Sequence, residues 1–158
     1  MLLFCSGTSN ACLCDGEDTV KEAFAGASTI FMGQYLGSEY RKGIKNEMVA
    51  LHMSTQGLAG DYEILVYRFK AHRRWKGVIG TQVILITDHA RLPNGSEVIS
   101  DCGLGFEVGQ EYLVYAYGGK NELAADACTR TRGKVRAGQD IKELDRLART
   151  SGRKKLGP

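Results

Sequence analysis

The sequence predicts an all-β domain, a five-stranded Greek-key barrel with flanking helices. Five β-like segments recur at intervals of about 12–30 residues, with one helical segment before the first and another after the last. Strands and helices do not alternate, as they would in an α/β protein with a parallel sheet. The length of 158 residues suits one domain that buries a substantial core.

The five strands are predicted from alternating apolar residues and from enrichment in β-branched and aromatic residues. Turn residues such as Pro93-Asn94-Gly95 separate them. The polar stretch 41–60 is predicted as a loop. The strands are predicted over residues 27–35, 61–71, 82–87, 112–117 and 123–128.

Two helices are predicted to flank these strands. The first covers residues 18–25, where apolar residues recur at helical spacing. The second covers residues 139–150 and is amphipathic, because Ile141, Leu144 and Leu147 form one apolar stripe with charges elsewhere.

Five cysteines indicate the compartment of the protein. Cys12 and Cys14 flank a single residue, so a bond between them would close a strained ring, and each is better placed to bond a distant partner. Cys102 and Cys128 can supply these partners, which leaves Cys5 unpaired. Two disulfides would place the protein in an oxidising compartment, extracellular or periplasmic.

A zinc site is the alternative interpretation of the cysteines. The chain has no Cys-x-x-Cys pair, and His52, His72 and His89 do not lie at ligand spacing from the cysteines or from one another. Disulfides are therefore favoured over zinc, and no cofactor is expected. No nucleophile pattern surrounds the histidines and no Gly-rich phosphate loop occurs, so we do not expect an enzyme.

Residues 1–11 are predicted to be the remnant of a signal or leader sequence. Ser9-Asn10-Ala11 has small residues at the two positions that a signal peptidase reads before Cys12. The apolar stretch 1–4 is shorter than the ~7–15 residues of a signal core, so a cytosolic chain without a signal is the alternative. Acylation at Cys5 is disfavoured by the bulky residue before it. No apolar run approaches the ~18 residues of a membrane helix.

Charge is distributed unevenly along the chain. The residues from Arg130 onward include ten Lys or Arg and three Asp or Glu, whereas the preceding 129 residues include eleven and fifteen. This basic region could bind a polyanion such as a sulfated glycan or an acidic headgroup. A solvated helix face followed by a disordered basic tail over residues 151–158 is favoured. Nucleic acid is not expected as a partner, because disulfides indicate an oxidising compartment.

Aromatic residues are the remaining candidates for a binding surface. Tyr112, Tyr115 and Tyr117 are predicted to pack in the core or across strands rather than to form a stacking platform. Trp75 fits two roles equally well, an exposed anchor and a cover for one end of the barrel.

Six motifs in a fixed order span most of the chain. They are Cys12-Leu13-Cys14, Ser28-Thr29-Ile30-Phe31-Met32-Gly33, Arg74-Trp75-Lys76-Gly77, Asp101-Cys102-Gly103 with Phe106 after it, Gly109-Gln110-Glu111-Tyr112-Leu113-Val114-Tyr115-Ala116, and Ala127-Cys128-Thr129-Arg130-Thr131. As a set, they resemble the netrin-like domain of the tissue inhibitors of metalloproteinases (TIMPs), in a short bacterial-type form with a single domain. The order of the motifs is specific, although no single motif is.

The resemblance implies a five-stranded oligonucleotide/oligosaccharide-binding (OB) barrel with flanking helices over residues 12–150. It also implies the pairing of Cys12 with Cys102 and of Cys14 with Cys128. In this family the mature chain begins at the first of these cysteines, whose α-amino nitrogen and carbonyl oxygen chelate the catalytic zinc of a metalloprotease. The resemblance therefore implies a secreted inhibitor that binds the zinc of its target through Cys12.

The inhibitory ridge implied by the resemblance consists of Cys12, Leu13, Cys14, Ser100 and Asp101. The Leu13 side chain would enter the first primed pocket of the protease, with Ser100-Asp101 packed beside it. Cleavage before Cys12 is required, since an amide nitrogen is not a zinc ligand. A non-inhibitory extracellular netrin-like module that binds a protein or a polyanionic glycan is the alternative function.

Overall fold

The computed structural model of the protein describes residue 14 and residues 18–77, 79–99, 102–119 and 122–154. These residues form a predominantly antiparallel six-stranded sheet with a few flanking helices, which confirms the predicted all-β class with flanking helices. In chain order the elements are α1 (Val20–Gly26), β1 (Thr29–Lys42), α2 (Glu47–Thr55), β2 (Glu63–Lys76), β3 (Gln82–Arg91), β4 (Glu97–Val98), β5 (Glu111–Ala116), β6 (Arg132–Gly133), a 3₁₀ turn (Lys134–Arg136) and α3 (Gly138–Lys154).

Strand β1 is the centre of the sheet, whose order is β4-β3-β2-β1-β5-β6. Its first half pairs with β5, from Thr29 opposite Ala116 to Gln34 opposite Glu111, and nearly its whole length pairs with β2. Register shifts bend β1 where it faces β2. At one of them Gly33 permits a close approach, since a Cβ there would lie 3.1 Å from the carbonyl oxygen of Lys70.

Ala124 connects the two sides of the sheet. It exchanges backbone hydrogen bonds of 2.9 and 3.0 Å with Tyr117, just after β5, and it forms a parallel bridge with Ile86 of β3. The strand predicted over residues 123–128 is therefore wrong in extent, because the chain pairs only around Ala124. The side chain of Asp126 accepts hydrogen bonds from the backbone N–H groups of Cys128 and Thr129, and this turn ends the pairing.

Alternate residues of the central strands face two separate apolar clusters. One face of β1 and β5 packs against α1 and α3, through Ile30, Met32, Leu113, Tyr115, Ala23 and Leu144. The opposite face packs against β2 and β3, through Phe31, Tyr35, Val114, Phe69, Val83 and Leu85. Tyr115 is thus a core residue, as predicted, whereas Tyr117 is 42% exposed.

Helix α2 lies within the stretch 41–60, so the prediction of a loop there is wrong. Asn46 caps the helix, because its side-chain oxygen accepts a hydrogen bond of 3.2 Å from the N–H of Val49. Val49 and Met53 are buried against the first residues of β2 and the last residues of β3, whereas Leu51 is exposed. A helix that buries so narrow a stripe has little apolar periodicity to reveal it in the sequence.

The other predicted elements are present with different ends. Strands β1, β2 and β3 extend further than predicted. Most of their last residues are polar or exposed, so they lack the apolar alternation that predicts a strand, although Ala90 of β3 is buried. Trp75 and Lys76 belong to β2, beyond the predicted end of this strand at residue 71, and Gly77 follows with a positive φ of 80°. Helix α3 continues to Lys154, and residues 155–158 lie outside the described residues. In the described part of the chain, no helix is long and apolar enough to cross a membrane.

Candidate functional site

The cysteines of the predicted ridge are described in part. Cys14 is bonded to Cys128 across 114 residues, with Cα atoms 5.3 Å apart, which confirms this predicted pair. A bridge closing so long a loop stabilises the fold by about 4–5 kcal/mol in the loop-entropy model. Cys102 is also disulfide-bonded. The predictions for Cys5, Cys12, Leu13, Ser100 and Asp101 lie outside the described residues.

Cys102 and Cys128, the two anchor cysteines, belong to neighbouring segments. The N–H of Ala127 donates a hydrogen bond of 2.9 Å to the carbonyl oxygen of Cys102. Asp126 holds the same loop, since one carboxylate oxygen accepts from Cys128 N–H and the other accepts from the Tyr117 hydroxyl at 3.0 Å. Burial and the Asp126 charge raise the pKa of Tyr117 to about 12. The two anchor cysteines therefore lie on adjacent segments of the fold.

A cleft of about 410 Å³ lies beside the Cys14–Cys128 bridge. Ala127 and Cys128 are exposed at this cleft. Its wall carries three arginines, so it is more basic than the chain as a whole. The lining residues are Cys14, Asp18, Ala127, Cys128, Thr129, Arg130, Thr131, Arg132 and Arg136.

Behind this cleft lies a buried carboxylate that the sequence did not lead us to expect. Asp140, in the first turn of α3, is only 1% exposed. It accepts hydrogen bonds from Arg130 Nε at 2.8 Å, Arg130 Nη2 at 3.0 Å and the Tyr115 hydroxyl at 3.1 Å. Burial, reinforced by the Asp140 charge, raises the pKa of Tyr115 well above its ordinary value. We call Asp140, Arg130 and Tyr115 the Asp140 cluster.

The Asp140 cluster reaches the N-terminal part of the chain through Arg130. Its Nη1 donates a hydrogen bond of 2.5 Å to the carbonyl oxygen of Asp18. Asp18 directly precedes Thr19, which caps α1. The only sequence signal for this cluster is that Asp140 lies four residues before Leu144, on the edge of the apolar stripe of α3.

Trp75 takes part in a second cluster on the same helix. Its indole Nε1 donates to Asp145 Oδ1 at 2.7 Å, and Arg73 Nη2 donates to the same oxygen at 2.6 Å. The Arg73 guanidinium lies 4.6 Å from the centre of the Trp75 ring. Trp75 is half-buried against the residues packed under α1 and α3, so it joins the end of β2 to α3. We call Asp145, Arg73 and Trp75 the Asp145 cluster.

Several basic residues of the C-terminal region have acidic partners. Arg130 binds Asp140, Lys134 binds Glu111, and Arg146 binds Glu143. His72 binds the other oxygen of Glu111 at 2.5 Å. A polyanion would therefore meet a lower net charge than the sequence count indicates, and polyanion binding stays a prediction.

Comparison of the sequence with protein-family models and with curated proteins gives no match. Within the described residues, no group of three or more His, Cys, Asp or Glu could hold a metal ion. The features of the described residues that bear on function are therefore the Cys14–Cys128 bridge and the contacts around it.

Proposed function

We propose that this protein is a secreted, TIMP-like inhibitor of zinc metalloproteases that acts through Cys12 after removal of residues 1–11. One observation carries the proposal, namely the fixed attachment of the cysteine-rich start of the domain. Cys14 is bonded to Cys128. The disulfide-bonded Cys102 lies beside Cys128, because its carbonyl oxygen accepts a hydrogen bond from the N–H of Ala127. A segment held in this way loses little conformational entropy when it docks on a partner.

The proposal requires an OB barrel, and the strand pairings support one. The ladders link β3 to β2, β2 to β1 and β1 to β5 in antiparallel pairs. Ala124 then pairs with both Tyr117 and Ile86, which joins the end of β5 to β3. A ring of strand pairings supports a small closed barrel over an open sheet, because closure removes the free sheet edges.

The proposed chemistry uses the open coordination position of a catalytic zinc. A zinc protease keeps this position for the attacking water, and an uncharged amine is a good zinc ligand. In the proposed complex the amino nitrogen and carbonyl oxygen of Cys12 displace that water. The Leu13 side chain fills the adjacent apolar pocket of the protease.

The test measures inhibition of a panel of zinc endopeptidases by matched forms of the protein. A chain that begins at Cys12 should inhibit, and the full chain should not. A chain that begins at Ala11 should also be inactive, because its Cys12 nitrogen is an amide. The closest control is the Cys12-start chain with an acetylated amine, which has the same side chains and no amine ligand.

Leu13→Gly in the Cys12-start chain tests the pocket. Burying a leucine side chain contributes about 1.5–3 kcal/mol, so we expect inhibition to weaken roughly 10- to 150-fold. If the free-amine, acetylated and extended forms all inhibit equally, or none inhibits, the terminal-amine mechanism is wrong. The non-inhibitory binding module would then replace it.

A further inference from the structure

The Arg130 guanidinium joins two parts of the molecule that are distant in sequence. Its Nε and Nη2 bind both oxygens of Asp140, and its Nη1 binds the carbonyl oxygen of Asp18. Asp140 is in α3, whereas Asp18 lies between Cys14 and α1. Arg130 itself lies two residues after Cys128, the partner of Cys14.

The burial of this ion pair suggests a role other than stability. The side chains of Arg130 and Asp140 are 16% and 2% exposed. Replacing a buried ion pair with apolar residues of similar volume is often neutral or stabilising, because the desolvation of two charges is costly. A bidentate pair does, however, fix direction as well as distance. With two of its nitrogens held by Asp140, the third nitrogen of Arg130 is directed at Asp18.

We infer that Arg130 and Asp140 are a positioning pair that fixes Asp18, at the start of α1, relative to the Cys14–Cys128 bridge. The disulfide holds the chain at Cys14, and the hydrogen bond from Arg130 holds it at Asp18, four residues later. Two attachments fix where α1 begins relative to the bridge, whereas one attachment alone would not. The further expectation that a fixed Asp18 favours docking of Cys12 and Leu13 on a protease rests on the proposed function. The positioning of Asp18 itself does not.

Hydrogen exchange in the full-length protein tests the positioning directly. Asp140→Asn weakens the two hydrogen bonds that hold the Arg130 guanidinium. The hydrogen bond from Arg130 to the carbonyl oxygen of Asp18 should therefore weaken as well. A hydrogen bond to a charged group contributes enough that its loss should speed local exchange by about tenfold or more. We therefore expect the Ala23 amide of α1, which binds Thr19, to exchange at least about tenfold faster relative to the Met32 amide of β1.

Asp145→Asn is the matched control, because it removes a carboxylate charge from the same helix and weakens the bonds from Arg73 and Trp75. We expect it to leave the ratio of Ala23 to Met32 exchange rates within about twofold of the wild-type ratio. If Asp140→Asn accelerates both amides equally, the pair only stabilises the whole domain and the inference is overturned.

An apolar replacement separates positioning from stability. The triple variant Tyr115→Phe, Arg130→Met, Asp140→Leu removes the buried ion pair and the hydroxyl bound to it. Arg132, whose Nε lies 3.7 Å from Asp140 Oδ2, keeps its charge, but its side chain is 21% exposed to solvent. We expect its urea midpoint to lie near the wild-type value, while its Ala23 amide still exchanges faster than in the wild type. A triple variant with wild-type exchange at Ala23 would contradict the positioning role.

Inhibition by Cys12-start chains links the pair to the proposed function. If these chains inhibit, we expect Asp140→Asn to weaken inhibition by about tenfold and Asp145→Asn to leave it unchanged. If no form inhibits but Ala23 responds as described, the proposed function fails and the positioning pair stands. If the wild type inhibits and Asp140→Asn alters neither inhibition nor exchange, the positioning pair fails alone.

Discussion

Helix α3 carries two carboxylates with the same kinds of partner and very different surroundings. Asp140 binds an arginine and a tyrosine, and Asp145 binds an arginine and a tryptophan. The Asp140 side chain is 2% exposed, whereas that of Asp145 is 31% exposed. One helix therefore carries two carboxylates that accept similar hydrogen bonds, one buried away from water and the other partly exposed to it.

The comparison shows that burial changes what each ion pair can do. Water competes for the exposed pair, so the Asp145 cluster contributes little to the free energy of unfolding and serves to fasten β2 to α3. Water cannot replace a lost partner in the Asp140 cluster, so that cluster holds its members in one arrangement. The cleft beside Cys14 has the buried cluster behind it, which places the more rigid of the two sites at the proposed inhibitory end.

Replacing each of the two aspartates with alanine should give the largest difference in the free energy of unfolding between the two clusters. Asp140→Ala leaves the Arg130 charge buried without its partner, and we expect the free energy of unfolding to fall by about 3–5 kcal/mol. Asp145→Ala should cost no more than about 1 kcal/mol, because Arg73 is exposed to solvent. Urea denaturation of both variants measures this difference. Equal losses would mean that burial does not distinguish the clusters.

Much of the sheet could be predicted from the sequence because its strands alternate in polarity. Three of the predicted strands and both predicted helices correspond to β2, β3, β5, α1 and α3, and the central strand to the first half of β1. The bridge between Cys14 and Cys128 was implied by the resemblance to the netrin-like domain of the TIMPs, and not by the spacing of the cysteines. Local patterns thus sufficed where a whole face of an element is buried.

The Asp140 cluster could not be predicted because its contacts come from tertiary structure. Asp140 lies 10 residues from Arg130 and 25 from Tyr115, and a carboxylate in an amphipathic helix is normally expected to face water. Helix α2 was missed because only a narrow stripe of it is buried. The last predicted strand was overestimated, since its apolar residues did not reveal the turn made by Asp126.

The tyrosine of the buried cluster offers a smaller and cleaner test. Tyr115→Phe removes only the hydroxyl that donates to Asp140, and the ring can stay in the core. We expect a loss of about 1.5–3 kcal/mol, the usual range for a hydrogen bond to a charged group. Tyr117→Phe is the control, because that hydroxyl donates to Asp126 from a side chain that is 42% exposed.

Tyr117→Phe should cost about 0.5–1.5 kcal/mol, since water can solvate Asp126 in its place. Both values come from denaturation followed by circular dichroism. If Tyr117→Phe costs as much as Tyr115→Phe, the anchor loop around Cys128 depends on Asp126 as strongly as α3 depends on Asp140. That outcome would place two rigid sites at the proposed inhibitory end, one buried at Asp140 and one partly exposed at Asp126.

The smallest expected effect is the pH dependence of the exposed cluster. The hydrogen bond from Trp75, followed by that from Arg73, lowers the pKa of Asp145 in the folded protein. A carboxyl whose pKa is lower in the folded protein than in the unfolded chain binds protons less readily in the folded state. Its contribution to stability is therefore present above the unfolded pKa of about 3.9 and is lost as the pH falls through the folded pKa.

Asp145→Asn cannot titrate, so the comparison with the wild type isolates this contribution. At pH 7 we expect the wild type to be more stable by at most about 1 kcal/mol, because the pair is screened by solvent. The difference should shrink steadily below about pH 4. Trp75, the only tryptophan in the chain, reports unfolding by fluorescence at each pH. A difference that stays constant down to about pH 2 would mean that the ionised form of Asp145 is not what holds Arg73 and Trp75.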